Sequence, residues 1–151
     1  MKKDSMPKMI IYMTPFPYKI HSNSSLREAQ EMMNKHNICH LPVIDDAEDS
    51  DFFNIISERD IDRALSFGHT RVEEDLLVSD ICPIRAYIVD ANDPLDRVLE
   101  VMAEKRIDAV LVSRHGDLAG IFTATDACRL FAQRLQTDFP RPRTGPGGDA
   151  A

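Results

Sequence analysis

The stretch that decides the fold is NIISERDIDRAL at positions 54–65, which recurs in related form as GIFTATDACRLF at 120–131. Each stretch opens with apolar residues typical of a β-strand, continues with a hydroxyl residue, and places an aspartate three positions later. Apolar residues at helical spacing follow. The two stretches therefore predict two strand-to-helix junctions of the same kind.

The similarity extends upstream of the two junctions. Residues 24–44 (SSLREAQEMMNKHNICHLPVI) align without a gap with residues 93–113 (DPLDRVLEVMAEKRIDAVLVS), so that Leu26 falls on Leu95. The register slips only at the acidic stretch DDAEDSD, residues 45–51, which is longer than the corresponding RHGD. Such self-similarity indicates two copies of one structural unit.

Each copy predicts the order β-α-β-β-α. A short strand precedes an amphipathic helix, two strands follow, and the final helix opens at the hydroxyl residue of the junction. Helix starts carry capping signals, with Ser25 and Glu28 spaced for a capping box in one copy and Asp93-Pro94 in the other. We expect a first repeat with its N-terminal segment at 1–75 and a second repeat at 76–135. A disordered Pro/Gly-rich tail is expected at 136–151.

Composition narrows the classes of function. The formal net charge is −7, so neither nucleic acid nor an anionic membrane is expected as a partner. No apolar run is long enough to cross a bilayer, and the N-terminus lacks the apolar core of a signal peptide, so we expect a cytoplasmic protein. Cys39, Cys82 and Cys128 are widely spaced and odd in number, which favours reduced thiols over a disulfide framework.

The duplicated unit resembles the CBS-domain family in its stand-alone tandem form, the Bateman module. The resemblance is carried by YMTPFP (12–17), NICHLPVID (37–45) and the two junctions, and covers residues 9 to 132. It implies an α/β (α+β) fold of two repeats related by a pseudo-two-fold axis, with their small sheets facing each other across two clefts. It also implies regulatory binding of an adenosyl ligand, such as AMP, ADP, ATP, S-adenosylmethionine or a cyclic dinucleotide, without catalysis.

The hydroxyl-x-x-Asp junction has two compatible interpretations. In the first, Ser57 and Thr123 cap helices, and Asp60 and Asp126 complete capping boxes. In the second, the helix N-terminus binds phosphate and the carboxylate accepts both hydroxyls of a ribose. The residues alone favour the cap. The family resemblance favours the ligand, because CBS domains use this aspartate for ribose and the hydroxyl residue for phosphate or ribose.

The resemblance implies that each cleft combines the junction of one repeat with the first strand of the other. The cleft expected to be the better site comprises Thr123, Thr125, Asp126, Met13, Phe16, Tyr18, Ile38 and His40. Its adenine base would lie among Met13, Tyr18 and Ile38. His40 would reach phosphate or, as is commoner for such a histidine, serve only packing or solvation.

A second cleft would comprise Ser57, Arg59, Asp60, Cys82, Arg85, Tyr87 and Ile107. Ala109 stands there in place of His40 and cannot contact phosphate. Arg59 could supply the missing charge, or could pair with a nearby acid. Asn54 replaces the glycine that the other copy retains as Gly120, which argues against close approach of a ligand. The first cleft is therefore ranked above the second.

Other chemistry finds little support in the sequence. His36, Cys39 and His40 lack a second ligand cluster for zinc, and the acidic stretch 45–51 lacks the pattern of an EF-hand. No P-loop or nucleophile elbow occurs. We expect no enzyme, metal or cofactor, but an adenine nucleotide as regulatory ligand, a homodimer formed through the helices, and a regulated protein partner. The alternative is a ligand-free dimerisation or interaction scaffold with vestigial clefts.

Overall fold

The computed structural model describes residues 5–45, 54–66, 76–82 and 85–142. In chain order its elements are α1 (Met9–Tyr12), β1 (Thr14–Pro15), β2 (Ile20–His21), α2 (Leu26–His36), β3 (His40–Ile44), β4 (Asn54–Ser57), α3 (Glu58–Ser66), α4 (Val78–Ile81), β5 (Ile88–Asp90), α5 (Leu95–Lys105), β6 (Ala109–Arg114), β7 (Asp117–Thr123) and α6 (Ala124–Asp138). The elements β2 to α3 form the first repeat and β5 to α6 the second, and each run has the predicted order β-α-β-β-α. The short α4 lies between them.

The strands form two small sheets, one for each repeat. The first has the order β2-β3-β4 and the second the order β1-β7-β6-β5. In each repeat the first strand pairs in parallel with the second across the intervening helix, and the second pairs antiparallel with the third. The mixed α/β fold with two repeats, predicted from the sequence, is confirmed.

The N-terminal segment packs on the second repeat rather than on its own. Strand β1 pairs antiparallel with β7, which places Thr14 opposite Ile121 and Pro15 opposite Gly120. Met9 of α1 is fully buried in the core of the second repeat. The sequence did not predict α1 or β1 as elements, because both are too short for a periodic pattern.

The segment between the repeats makes the reciprocal contact. Val78 of α4 is fully buried in the core of the first repeat. Isolated bridges join Leu77 to Ser25 and Arg85 to Asn54. The sequence indicated only a connection at 76–83, and the predicted boundary between residues 75 and 76 stays a prediction.

Each repeat has its own apolar core, built from residues at the predicted helical spacing. Helix α2 contributes Leu26, Ala29 and Met33 to the first core, and α5 contributes Leu95, Val98 and Met102 to the second. Strands β3 and β6 supply buried residues beneath these helices. Burying one large apolar side chain stabilises the fold by about 1.5–3 kcal/mol, so these helices are held mainly by packing.

Helix ends follow the capping signals of the sequence. Ser25 and Glu28 form the predicted capping box of α2. Helix α5 begins directly after Pro94, as predicted. Both α2 and α5 end in a left-handed residue, Asn37 and Arg106 respectively, which reverses the chain into the following strand.

The last helix is longer than the sequence indicated. Helix α6 continues to Asp138, so the predicted start of the tail at 136 falls inside it. Arg134 pairs with Asp138 at 2.9 Å, and the Thr137 hydroxyl donates to the Gln133 carbonyl oxygen; such local bonds extend the helix toward Pro140. The rest of the predicted tail, 143–151, and the acidic residues 46–51 lie outside the described residues. Within the described ranges, no helix combines the length and apolar character needed to cross a membrane.

Candidate functional site

A cavity of about 960 Å³ opens between the two repeats. The first repeat lines it with the end of β4 and the start of α3. The second lines it with the segment before β5, the end of α5 and the start of β6. Small-molecule sites commonly enclose about 300–1,000 Å³, so this cavity is large enough for a nucleotide.

The Asp60 junction forms one wall of the cavity. Oδ2 of Asp60 accepts hydrogen bonds from the Ser57 backbone N–H at 2.9 Å and from the Ser57 hydroxyl at 2.7 Å. The backbone N–H of Asp60 donates back to Oγ of Ser57 at 3.2 Å. The predicted capping geometry is therefore present, and all of these bonds to the carboxylate involve a single oxygen.

The Asp126 junction has the same box with one further contact. Oδ2 of Asp126 accepts from the backbone N–H and the hydroxyl of Thr123, both at 2.9 Å. Oδ1 accepts from Nη1 of Arg129 at 3.1 Å. Both carboxylate oxygens of Asp126 thus accept hydrogen bonds from the protein, and a ribose at this position would have to share Oδ1 with the guanidinium or displace it.

The residues predicted for the second cleft largely come together. All of them except Cys82 line the cavity: Ser57, Arg59, Asp60, Arg85, Tyr87 and Ile107. Cys82 instead packs against the first core, and its thiol donates to the Ile55 carbonyl oxygen at 3.4 Å. Burial raises the pKa of the Cys82 thiol to about 11, so this thiol is neutral.

The residues predicted for the first cleft are more dispersed. His40 and Thr125 line the same cavity as Asp60. Tyr18 stacks on His36 of its own repeat with ring centroids 3.7 Å apart, and Phe16 is 94% exposed. Ile38 packs against the first core. The lining of the described cavity thus includes Asp60 and not Asp126, and the expected ranking of the two clefts stays a prediction.

Met13, the remaining residue of that set, explains the glycine in the second junction. It packs against the second core, directly over Gly120. A Cβ atom at position 120 would lie 2.5 Å from Sδ of Met13 and 2.8 Å from the Thr14 carbonyl oxygen. Gly120 therefore leaves room for Met13 and Thr14 where β1 pairs with β7. From the sequence we related this glycine to the close approach of a ligand. In the structure the atoms close to it belong to Met13 and to the backbone of Thr14.

The cavity concentrates positive charge in an otherwise acidic chain. Five basic residues line it: Arg59, Arg63, Arg85, Lys105 and Arg106. Four acids accompany them: Glu58, Asp60, Asp62 and Asp108. Because the formal net charge of the chain is −7, this surface attracts anions much better than its surroundings do. Most of these cations could not be placed from the sequence, because they come from different elements of both repeats.

His40 lies half-buried in the cavity wall. Burial is the main cause that lowers the pKa of its imidazole below the ordinary value of 6.5, and the charge of Arg59 adds to this lowering. The carboxylates of Asp108, Asp60 and Asp126 act in the opposite direction without reversing it. His40 is therefore neutral near pH 7 and can donate or accept a hydrogen bond there, but carries no full charge.

Cys39 and Glu58 lie side by side in the cavity wall. The pKa of Cys39 is raised, first by a hydrogen bond with Glu58 and then by burial and the charge of Glu58, so its thiol stays protonated. Across the part of the chain that the structure describes, no group of three or more His, Cys, Asp or Glu residues could hold a metal ion.

Comparison with known proteins identifies the class to which this pair of repeats belongs. A family profile for the CBS domain matches residues 8–67 and 78–133. The chain belongs to the CBS-domain family, as the sequence resemblance indicated, and contains a tandem pair of CBS domains.

Individual relatives place the same pair inside longer proteins. An L-aspartate semialdehyde sulfurtransferase of Methanocaldococcus jannaschii is 34% identical over 116 residues, which is 76% of this chain and 21% of the relative. An inosine-5′-monophosphate dehydrogenase of Staphylococcus aureus is 22% identical over 114 residues, 73% of this chain and again 21% of the relative. The chain therefore spans about a fifth of the length of these curated relatives.

A solved structure is similar over most of the chain. It is a CBS domain pair in complex with 5′-methylthioadenosine and S-adenosyl-L-methionine, with a TM-score of 0.73 and 27% sequence identity. The alignment covers 86% of this chain and 99% of that one. The two proteins thus share the tandem arrangement over nearly the whole of the neighbour.

Proposed function

We propose that this chain is a regulatory module that binds an adenine nucleotide, AMP, ADP or ATP, in the cavity that Asp60 lines. The observation that carries this proposal is the junction itself: a capped helix start with a half-buried carboxylate, set in a cation-rich cavity between two CBS repeats. The adenosyl ligands of the similar CBS pair support the class of ligand. The cytoplasmic location predicted from the sequence stays part of the proposal.

Each group in the cavity has a role in this binding mode. The second oxygen of Asp60 accepts hydrogen bonds from the ribose hydroxyls, while Oδ2 keeps the bonds to Ser57. Phosphates lie toward the start of α3, where the helix dipole and Arg59 provide positive potential. Tyr87 and Ile107 supply apolar surface for the base. No bond is made or broken, so the consequence of binding is a change in the cleft between the repeats.

The direct test is a panel of ligands against the wild-type protein. Thermal shift measurements with AMP, ADP, ATP, S-adenosylmethionine, NAD and cyclic dinucleotides, followed by calorimetric titration, should reveal at least one adenine nucleotide that raises the melting temperature. At a ligand concentration of 100 times Kd the expected stabilisation is about 2.7 kcal/mol. Absence of stabilisation by every adenosyl ligand at millimolar concentration would rule the proposal out.

A second candidate function is self-association, which one feature favours. Helix α6 carries Phe131 and Leu135 four residues apart, and Phe139 caps the end of the helix; Phe131 and Phe139 are 65% and 73% exposed. This stripe defines one apolar face on α6, and helices with such a face commonly pair. We propose that two copies pair through it, as the sequence predicted for the helices in general.

Light scattering of the wild type and of Leu135→Glu at high micromolar concentration tests this pairing. The wild type should have the mass of a dimer and the variant that of a monomer. Glu100→Gln, on the exposed side of α5, is the control and should remain dimeric. A monomeric wild type would contradict the pairing while leaving nucleotide binding untouched.

A further inference from the structure

An ion pair crosses the cavity and joins the two repeats. Nη1 of Arg59, in the first turn of α3, lies 3.4 Å from Oδ2 of Asp108, the residue immediately before β6. Both residues line the cavity. In the alignment of the two repeats Asp108 occupies the position of Cys39, so the first repeat has no matching carboxylate at this position.

Asp108 is fixed in position by its backbone and faces the cations of the other repeat. Its carbonyl oxygen accepts the backbone N–H of Ala124 at 2.8 Å, which ties it to the start of α6. Its carboxylate acts on His40 as well as on Arg59, since it is the largest charge effect that raises the pKa of that imidazole. The carboxylate of Asp108 therefore lies near both Arg59 and His40 of the other repeat.

The pair is loose enough to be broken by a better anion. Arg59 and Asp108 have side chains that are 76% and 60% exposed, and 3.4 Å is long for a charge-assisted hydrogen bond. Exposed pairs of this kind contribute little net stability because solvent competes for both charges. A phosphate group carries more negative charge and can bind the guanidinium through two parallel hydrogen bonds.

We propose that Asp108 is an internal competitor for phosphate: its carboxylate holds Arg59 across the cavity, and a phosphate of the bound ligand displaces it. This inference rests on the proposed function, and it deepens that function by naming what the ligand must break. The exchange removes a link between the repeats at the moment of binding. It also lowers affinity for phosphorylated ligands selectively, because a neutral nucleoside has no group that competes for Arg59.

Neutralising the competitor tests this exchange. In Asp108→Asn the affinity for ATP should rise by about 3- to 10-fold, as expected when one weak ion pair and one like charge near the phosphates are removed. Affinity for adenosine should stay within twofold of the wild type. The matched control is Asp62→Asn, which removes an acid from the lining of the same cavity and should raise ATP affinity by less than twofold.

A double-mutant cycle with Arg59→Gln identifies the partner. In the Arg59→Gln background the gain from Asp108→Asn should fall below twofold, because no guanidinium remains to be released. An undiminished gain in ATP affinity in that background, or equal gains in the Asp108 and Asp62 variants, would overturn the inference. The gain would then reflect only the removal of one negative charge near the ligand.

Inorganic triphosphate separates this inference from the proposed function. If no adenosyl ligand binds the wild type, the proposed function fails, and the same cycle is then measured with triphosphate alone. Tighter binding of triphosphate to Asp108→Asn, dependent on Arg59, would still support the competitor. Equal binding to the wild type and to this variant would contradict it.

Discussion

The Asp60 and Asp126 junctions have the same sequence pattern and the same capping box but different surroundings. Asp60 belongs to a cavity rich in cations and uses one carboxylate oxygen in its box. Asp126 uses the other oxygen as well, for Arg129. The two junctions therefore share their local fold, while the residues around them give the two carboxylates different hydrogen-bond partners.

The largest expected effect is the difference in nucleotide affinity between variants of the two aspartates. Two charge-assisted hydrogen bonds at about 1.5–3 kcal/mol each predict that Asp60→Ala weakens nucleotide binding by about a hundredfold or more. Asp126→Ala should change the affinity by less than about threefold while removing a similar capping contact. Calorimetric titration of both variants, beside their melting curves, makes the comparison.

The contrary outcome is equally specific. A hundredfold loss in Asp126→Ala with little change in Asp60→Ala would restore the ranking expected from the sequence and show that Arg129 yields its place to a ribose. Unchanged affinity in both variants, with only small losses of stability, would make each junction a helix cap and nothing more.

The next effect compares the residues that precede the two junctions, Gly120 and Asn54. Gly120→Ala should lower the free energy of unfolding by about 1–3 kcal/mol, because its Cβ would overlap Met13 and the backbone of Thr14. Asn54→Ala is the matched control. Oδ1 of Asn54 is buried and has no hydrogen-bond partner among the described residues, so its removal should leave stability unchanged or slightly higher.

Chemical denaturation of both variants measures this contrast. A Gly120→Ala protein as stable as the wild type would show that β1 can move away from β7 at little cost. The close pairing of β1 with β7 would then not explain why position 120 is a glycine.

The smallest expected effect is the pH dependence caused by His40, whose position in the other repeat is taken by Ala109. Because the pKa of His40 is lowered in the folded protein, the unfolded chain binds this proton more readily, and stability should fall as the pH drops below the ordinary value of 6.5. His40→Gln should remove that part of the pH dependence. Comparing wild-type and variant denaturation from pH 7.5 to about 5 cancels the carboxylates common to both proteins.

Ligand binding should show the opposite dependence. Protonated His40 adds charge near the phosphates, so nucleotide affinity should weaken as the pH rises through the lowered pKa of His40, while adenosine affinity should not change. Equal pH responses for nucleotide and nucleoside would contradict a contact between His40 and phosphate.

The sequence predicted the repeats because their determinants are local. Leu26 and Leu95 stand at matching positions of two amphipathic helices, and Thr123 and Asp126 stand three residues apart, so periodicity and capping rules were sufficient. The ranking of the clefts depended on contacts between distant elements. The Arg59–Asp108 pair spans 49 positions, and no pattern within one repeat indicates it.

The segment before each repeat packs on the other repeat, and this exchange joins the two repeats into a single cooperative unit. Met9 completes the core of the second repeat, and Val78 completes the core of the first. A fragment cut between the repeats would lose a buried residue from one core and expose the strand edge that β1 covers. We therefore expect that neither half folds independently and that both melt together in one transition. Under the proposed function, ligand binding would therefore act through a small rotation within an interlocked body, because separating the halves would remove Met9 and Val78 from their cores.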